Sequence, residues 1–253
     1  MSPRPDDASV AGADDAPSWD VRVTVVRQEP DGEPHEQEHV VACTERTTVL
    51  DALDAVKEQD ASVTYRWSCR MGVCGSCGVM VNGRPVLACE TPVLGYRATG
   101  LTLAPLARHA VLRDLVVDTD RLVGQLADVR AWLVAAPDGP GSDEPGPTTG
   151  AGRQTPAELN TYRGLAQCID CMLCYAACPQ IDLLPDFLGP AAVAAARRWD
   201  LDPRDHGDVL RRAVLDTEDG IWGCVQSGAC TRACPKGVDP AKALRDAQRE
   251  AMG

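Results

Sequence analysis

The chain has 253 residues, 44% of them hydrophobic, enough for two domains of ordinary size with their own cores. A net charge of −12 and a single Phe argue against a nucleic-acid binder, which needs a cationic surplus and a stacking platform. No apolar run reaches the ~20 residues of a membrane span; Leu101–Val117 is broken by Arg108, Arg113 and Asp114. Twelve Cys would suggest disulfides in a small secreted chain, but the opening Met1–Trp19 stretch lacks the apolar run of a signal peptide. The expectation is therefore metal.

Residues 1–18 read as a polar lead expected to be disordered. Val21, Val23 and Val25 alternate with Arg22 and Thr24, which predicts a strand over Trp19–Arg27. Pro30-Asp31-Gly32 supplies a turn and His39–Cys43 the returning strand. Thr48 is placed to cap a helix bearing Val49, Leu50, Leu53 and Val56. Val63–Trp67 reads as a strand, Val79–Leu87 as a hairpin about Asn82-Gly83, and Leu101–Leu103 as a final short strand. Two strands, a helix, then more strands with a Cys-rich loop between them (Cys69, Cys74 and Cys77) fit a β-grasp ferredoxin domain over residues 19–118.

After Pro105 the composition turns helical, with Leu122, Val123, Leu126, Val129 and Leu133 recurring at helical spacing. Residues 137–153, rich in Pro and Gly, read as a flexible surface excursion. Thr155-Pro156-Ala157-Glu158 opens the next helix with an N-cap, Pro at the first position and Glu at the third. Further helices are expected near Asp186–Trp199 and Arg204–Leu215, and a last one from Asp239-Pro240 to near Met252. No strand pattern interrupts residues 119–253, so the fold class is α+β, a β-grasp domain followed by an all-helical domain.

Three cysteine motifs punctuate this frame. Cys69, Cys74 and Cys77 form C-x4-C-x2-C, and Cys89 arrives after the predicted hairpin; this is the plant-type [2Fe–2S] spacing. Gly72, Gly75 and Gly78 are expected at positive φ, bringing backbone N–H groups toward the sulfurs, with Ser68 and Ser76 alongside. A structural zinc site is the alternative, but zinc knuckles favour paired C-x2-C units. Downstream, Cys168, Cys171, Cys174 and Cys178 precede Pro179 in C-x2-C-x2-C-x3-C-P, the bacterial ferredoxin run. Cys178 lies four residues past Cys174, about 6 Å further on if the stretch is helical, and so is better placed for a second cluster. The second run, Cys224, Cys230 and Cys234 before Pro235, repeats the spacing with Ser227 where a Cys is due.

With the last Cys of each run crossing over, Cys168, Cys171, Cys174 and Cys234 are expected to hold [4Fe–4S]. Cys178, Cys224 and Cys230 remain, three ligands that suit [3Fe–4S]; [4Fe–4S] with Ser227 or solvent as fourth ligand is the alternative. Cys43 is left over as a buried small hydrophobe. His35, His39, His109 and His206 show no ligand spacing and read as surface or satisfied residues.

A plant-type cluster domain followed by a helical two-cluster domain with Ser in the last run resembles the iron–sulfur subunit of succinate dehydrogenase and fumarate reductase. The likeness includes Tyr65–Cys77, Arg113–Asp118, Cys178-Pro179-Gln180, Gly189-Pro190 and Cys234-Pro235-Lys236. Cys168–Gln180, Arg204–His206 and Gly220–Trp222 look closer to the fumarate reductase branch. The resemblance implies electron transfer between FAD on a flavoprotein subunit and quinone, with no catalytic residue on this chain. It also implies membrane-anchor subunits that hold the chain peripherally on the cytoplasmic face of the cell membrane. Pro179, Trp222, Val225, Gln226 and Arg245 are the residues it sets near the quinone headgroup. Members often carry His, Thr or an aromatic where Val225 and Gln226 stand, and Lys where Gln248 stands, with Arg245 and Arg249 nearby. A soluble subunit serving another flavoenzyme without quinone is the alternative function; a zinc- or disulfide-stapled interaction module is a third.

Overall fold

The computed structural model describes residues 17–134 and 154–253. The lead over residues 1–18, apart from its last two residues, and the excursion at 137–153 lie outside them. Strands β1 (Trp19–Arg27) and β2 (His35–Cys43) pair antiparallel, with Trp19 opposite Cys43 and Arg27 opposite His35. Val21, Val23 and Val25 are buried, as their alternation predicts. The returning strand begins earlier than expected because His35–Glu38, polar on both faces, carry no alternation; their pairing is imposed by β1. Helix α1 (Val49–Gln59) opens with a reciprocal cap: Thr48 Oγ1 accepts from Asp51 N at 3.2 Å, and the Asp51 carboxylate accepts from Thr48 N at 2.9 Å. It lays Val49, Leu50, Leu53 and Val56 into the core.

Strands β3 (Gly78–Val81) and β4 (Arg84–Leu87) form the expected hairpin, with Asn82 and Gly83 both left-handed at φ 47° and 78°. β5 (Leu101–Ala104) lies parallel to β1 and antiparallel to β3, giving the order β2-β1-β5-β3-β4. This is the β-grasp sheet.

Two expectations fail here. Val63–Trp67 is not a strand, and β5 is not the last one: β6 (Val111–Arg113) and β7 (Val116–Val117) make a second, small hairpin. One residue accounts for both. Asp114, left-handed at φ 47° and 2% exposed, turns the chain between β6 and β7. Its carboxylate accepts from Arg27 Nε at 2.8 Å and Thr64 N at 2.9 Å, while Leu115 N donates to Thr64 O at 3.2 Å. The Val63–Trp67 stretch is thus held by a side chain where a neighbouring strand would offer backbone.

Helix α2 (Asp120–Asp128) stops short of the expected Leu133, because Arg130 turns left-handed at φ 46°. The carbonyls of Arg130 and Trp132 then accept from Arg211, a fully buried guanidinium whose Nη2 also meets Asp205 at 2.9 Å. No strand occurs beyond residue 118 among the described residues. The helices are α3 (Pro156–Tyr162), α4 (Leu173–Ala177), α5 (Gln180–Leu183), α6 (Gly189–Asp200), α7 (Asp208–Leu215), α8 (Ala229–Ala233) and α9 (Pro240–Ala251). Thr155 and Glu158 cap α3 reciprocally, and the Asp239 side chain accepts from Lys242 N at the start of α9. α7 begins later than Arg204, since the Asp205 carboxylate accepts from Gly207 N at 2.7 Å and shapes a turn first.

α6 is the central helix of this half. Its Ala191, Ala192, Val193, Ala194 and Ala196 are all buried, small enough for α9 to pack closely. α6 starts at Gly189 rather than Asp186 because Gly189 is left-handed at φ 81°, which interrupts helical backbone there; a Cβ at this position would lie 2.3 Å from the Tyr175 ring. The two halves share one core, in which Leu87 and Leu106 join Leu173, Tyr175 and Ile181. Arg108 fastens them further, pairing with Asp182 at 2.8 Å and donating to the Ala176 carbonyl at the end of α4.

Candidate metal centres

The loop from Ser68 to Cys77 has no regular structure and is wound by three left-handed residues, Arg70, Gly72 and Gly75, at φ 56°, 68° and 74°. This winding aims the N–H groups of Met71 and Val73 at Cys69 Sγ, each at 3.4 Å. Cys74 Sγ lies 3.0 Å from Ser76 Oγ. Cys77, at the foot of β3, lies 3.3 Å from Cys89, which the β3–β4 hairpin returns to it. All four predicted thiols are thus gathered on one loop and its neighbouring hairpin. Gly78 departs from expectation: it is extended within β3 and small for a different reason, since a Cβ there would sit 3.1 Å from Leu106 Cδ1 and 3.2 Å from Cys171 O.

The electrostatics of these thiols diverge. Met71 N–H, then Cys74 and Val73 N–H, draw the Cys69 thiol down to about 6, whereas burial pushes Cys77 up to about 12. Donors that stabilise anionic sulfur in the free thiolate do the same for a metal-bound one.

The two C-terminal runs are structural copies. In the first, Asp170 and Met172 are left-handed on either side of Cys171, and α4 follows. In the second, Gln226 and Gly228 are left-handed on either side of Ser227, and α8 follows. Cys178 and Cys234 close the two short helices in the same extended conformation, ψ 117° and 116°. Ser227 therefore occupies the backbone position of Cys171. It is exposed, and its hydroxyl accepts from Ala229 N at 3.4 Å.

The copies interleave. Cys168, Cys171, Cys174 and Cys234 line one cavity with about 400 Å³ of open space, joined by Pro235 and Lys236. Burial pushes Cys168 up to about 12, raises Cys171 and holds Cys174 far above the ordinary thiol value. Cys178, Cys224 and Cys230 form the other set: burial raises Cys224 and Cys230, and the neighbouring Cys178 adds to the rise in both. Among the described residues no three side chains of His, Cys, Asp or Glu close on the position of a single ion; the thiols are spaced around a volume instead. Sulfur donors in such sets fit iron–sulfur clusters, which bind cysteine as thiolate and displace its proton.

The first centre abuts the second. A Cβ on Gly75 would lie 2.5 Å from Ile169 O and 2.9 Å from Cys171 Cα, so backbone meets backbone there. The residues expected near quinone gather around the Cys224 loop. Gln180 Nε2, one residue past the exposed Pro179, donates to Gly223 O at 2.8 Å. Trp222 and Val225 are 42% and 61% exposed, and the Trp222 indole donates to Asp216 at 2.7 Å. Gln226 Nε2 donates to Gln248 Oε1 and Gln248 Nε2 to Ile221 O, both at 2.8 Å, while Gln226 Oε1 is buried without a partner. The exposed Arg245 on α9 partly offsets the upward push of burial on Cys224. Sequence reasoning missed the clamp from Gln180 and the contact of Gly75.

Cys43 is fully buried, its sulfur 3.6 Å from Val41 O. His35 and His206 are exposed, and His109 Nδ1 lies 2.8 Å from Ala107 O. His39 is buried, with Nδ1 3.3 Å from Gln59 Oε1 and Nε2 lacking a partner.

A β-grasp domain carrying the C-x4-C-x2-C loop, fused to a helical domain with two interleaved cysteine runs, defines a multicentre ferredoxin-type protein. Residues 22–124 match the family model of a 2Fe-2S iron-sulfur cluster binding domain, and residues 164–238 that of a 4Fe-4S dicluster domain. The fumarate reductase iron-sulfur subunit of Mycobacterium tuberculosis is 45% identical over 226 residues, covering 89% of each chain. That of Haemophilus influenzae is 42% identical over 93% of each. A mitochondrial succinate dehydrogenase iron-sulfur subunit of Oryza sativa is 37% identical over 92% of this chain and 76% of its own length. The fold is shared by a chain of the Mycobacterium smegmatis Sdh1 complex, with a TM-score of 0.81 at 23% identity over 92% of this chain and 96% of that one. The chain belongs to the family of fumarate reductase and succinate dehydrogenase iron–sulfur subunits.

Proposed function

We propose that this subunit carries electrons between the FAD of a partner flavoprotein and quinone held with a membrane-anchor subunit, in a succinate:quinone oxidoreductase or fumarate reductase. Residues 19–118 form the first electron-carrying domain and residues 119–253 the second. Cys69, Cys74, Cys77 and Cys89 would hold [2Fe–2S]; Cys168, Cys171, Cys174 and Cys234 [4Fe–4S]; and Cys178, Cys224 and Cys230 [3Fe–4S]. When bound, such clusters each accept and release single electrons, which lets a two-electron flavin reaction proceed one electron at a time.

The interleaving of the two runs carries this reading, because Cys234 joins the cavity of the first run while Cys178 faces the thiols of the second. The chain's own residues keep the centres close together. Gly75 lets the first loop touch Ile169 and Cys171 directly. The short helix α4 links Cys174 to Cys178, with Leu173, Tyr175 and Ala176 buried around it. Tyr175 OH donates to Leu188 O at 2.7 Å and fixes that helix against the start of α6.

Pro179, Trp222, Val225, Gln226 and Arg245 offer the third centre's outer face to quinone. Exposed Trp222 and Val225 supply apolar surface, Arg245 supplies a donor for a carbonyl oxygen, and Gln226 Oε1, an acceptor without a partner, would accept from a hydroxyl of quinol. No helix among the described residues is long and apolar enough to cross a membrane. In this reading the chain sits peripherally on the cytoplasmic face, through the anchor, and the dicarboxylate site belongs to the flavoprotein.

The experiment is to extract the native complex from membranes and assay subunits, flavin, iron and quinone-coupled turnover. Copurification with a flavoprotein and an apolar anchor, with quinone reduced by succinate or quinol oxidised by fumarate, is expected. A complex without an anchor and inert toward quinone would overturn the quinone half of the reading.

A further inference from the structure

Two charged residues join the first and second centres from opposite sides of the chain. Lys236 Nζ lies 3.2 Å and 3.5 Å from the two carboxylate oxygens of Glu90. Glu90 directly follows Cys89, and Lys236 stands two residues past Cys234 and lines the four-cysteine cavity. The carboxylate is also pressed against the Cys69–Cys74 loop: a Cβ on Gly72 would lie 2.0 Å from its Cδ, space that only glycine leaves open at φ 68°. One carboxylate and one ammonium thus sit between the two sulfur sets.

We infer that Glu90 and Lys236 are paired positioning charges that balance the reduction potentials of the two centres they separate, an inference that rests on the cluster assignment proposed above. Reduction adds negative charge to a cluster, so a nearby cation raises its potential and a nearby anion lowers it. Together the two charges nearly cancel; singly, each acts on both centres. The Lys236 side chain is 22% exposed and that of Glu90, which lines an open groove, 40%, so screening is appreciable and the pair adds little to stability. Other nearby charges, Asp170 at 3.4 Å from Cys168 Sγ and Arg84 and Arg232 in the groove, are unchanged by altering the pair.

The test uses the purified complex. Redox titrations followed by electron paramagnetic resonance give the potentials of [2Fe–2S] and [4Fe–4S] in the wild type, Lys236→Met, Glu90→Gln, the double variant and Lys236→Arg. Lys236→Met should lower both potentials and Glu90→Gln raise both, each by about tenfold in the reduced-to-oxidised ratio, about 59 mV for a one-electron couple. The double variant and Lys236→Arg should return close to the wild type. Unmoved potentials in both single variants, shifts of one sign in both, or a double variant that fails to cancel would overturn the inference. So would loss of cluster signals in both single variants, since the pair would then hold the fold rather than set charge. Absence of the two cluster signals from the wild type would instead defeat the cluster assignment itself, and the inference with it.

Discussion

The contact between the first two centres can be probed at Gly75. Gly75→Ala places a methyl group 2.5 Å from Ile169 O and 2.9 Å from Cys171 Cα, both backbone atoms that cannot swing aside. It also forces a side chain into the left-handed region at φ 74°, which costs about 1–2 kcal/mol. Overpacking adds about 1–3 kcal/mol, for a total near 3 kcal/mol. In a protein of this size that lowers Tm by about 6–12 °C. Gly83→Ala is the matched control: φ is 78°, but a Cβ there meets nothing within 4 Å. It should cost only the conformational part, about 2–8 °C. Thermal unfolding of both variants, with succinate-driven quinone reduction measured at equal iron content, separates the two effects. Only Gly75→Ala should slow turnover, because only there are the two loops forced apart. Equal Tm losses with unchanged turnover in both would refute the direct contact as the route between centres.

Other outcomes follow from buried groups and from the division of labour. Arg211→Met strands Asp205 and the carbonyls of Arg130 and Trp132, and should cost about 3–5 kcal/mol in denaturant titration. Burial alone would raise the Asp205 carboxyl, yet Arg211 and the N–H groups of Val134 and Gly207 hold it below its ordinary value. Ionised Asp205 therefore contributes stability above the unfolded pKa of about 3.9, and the contribution is lost as pH falls through the lower folded value. Arg211→Met should remove that acid limb, and an unchanged pH profile would contradict the assignment. Cys43→Ser should keep every cluster signal and cost no more than about 1 kcal/mol; a missing signal would mean Cys43 is a ligand after all. The purified chain alone should not oxidise succinate, and turnover in the absence of any flavoprotein would end the reading.

Much of this molecule was legible because local rules fixed it. Thr48, Thr155 and Asn82-Gly83 each act through neighbours three residues away or fewer, and each does what its pattern predicts. The likeness of the two C-terminal runs was legible for a related reason, since their matched spacing is wound by left-handed residues beside Cys171 and Ser227 alike. That Cys234 lines the cavity of Cys168, Cys171 and Cys174 follows the ferredoxin crossover pattern and not local spacing. The larger failures involve partners distant in sequence. Val63–Trp67 has strand composition, but Asp114 captures it from 50 residues away. Leu133 continues the helical stripe of α2, but Arg211 takes the carbonyls of Arg130 and Trp132 and the stripe ends early, leaving Leu133 44% exposed. Gly78 was expected to need left-handed backbone, whereas its smallness serves close packing against Cys171 and Leu106. A glycine in sequence does not say which of the two it provides.

The proposed function makes the site nearest quinone a three-iron centre, because Ser227 stands where a fourth thiolate is due. Ser227 shares the backbone setting of Cys171, flanked by left-handed Gln226 and Gly228 as Cys171 is by Asp170 and Met172. A hydroxyl gives up its proton to iron far less readily than a thiol, whose pKa is about 8.5. The direct measurement is iron content with electron paramagnetic resonance of the oxidised complex, wild type beside Ser227→Cys. The wild type should show a three-iron signal. In Ser227→Cys that signal should give way to a second four-iron cluster of lower potential, with the other two clusters untouched and quinone reduction slowed. A wild type without the three-iron signal, or a Ser227→Cys variant that keeps it unchanged, would contradict the account.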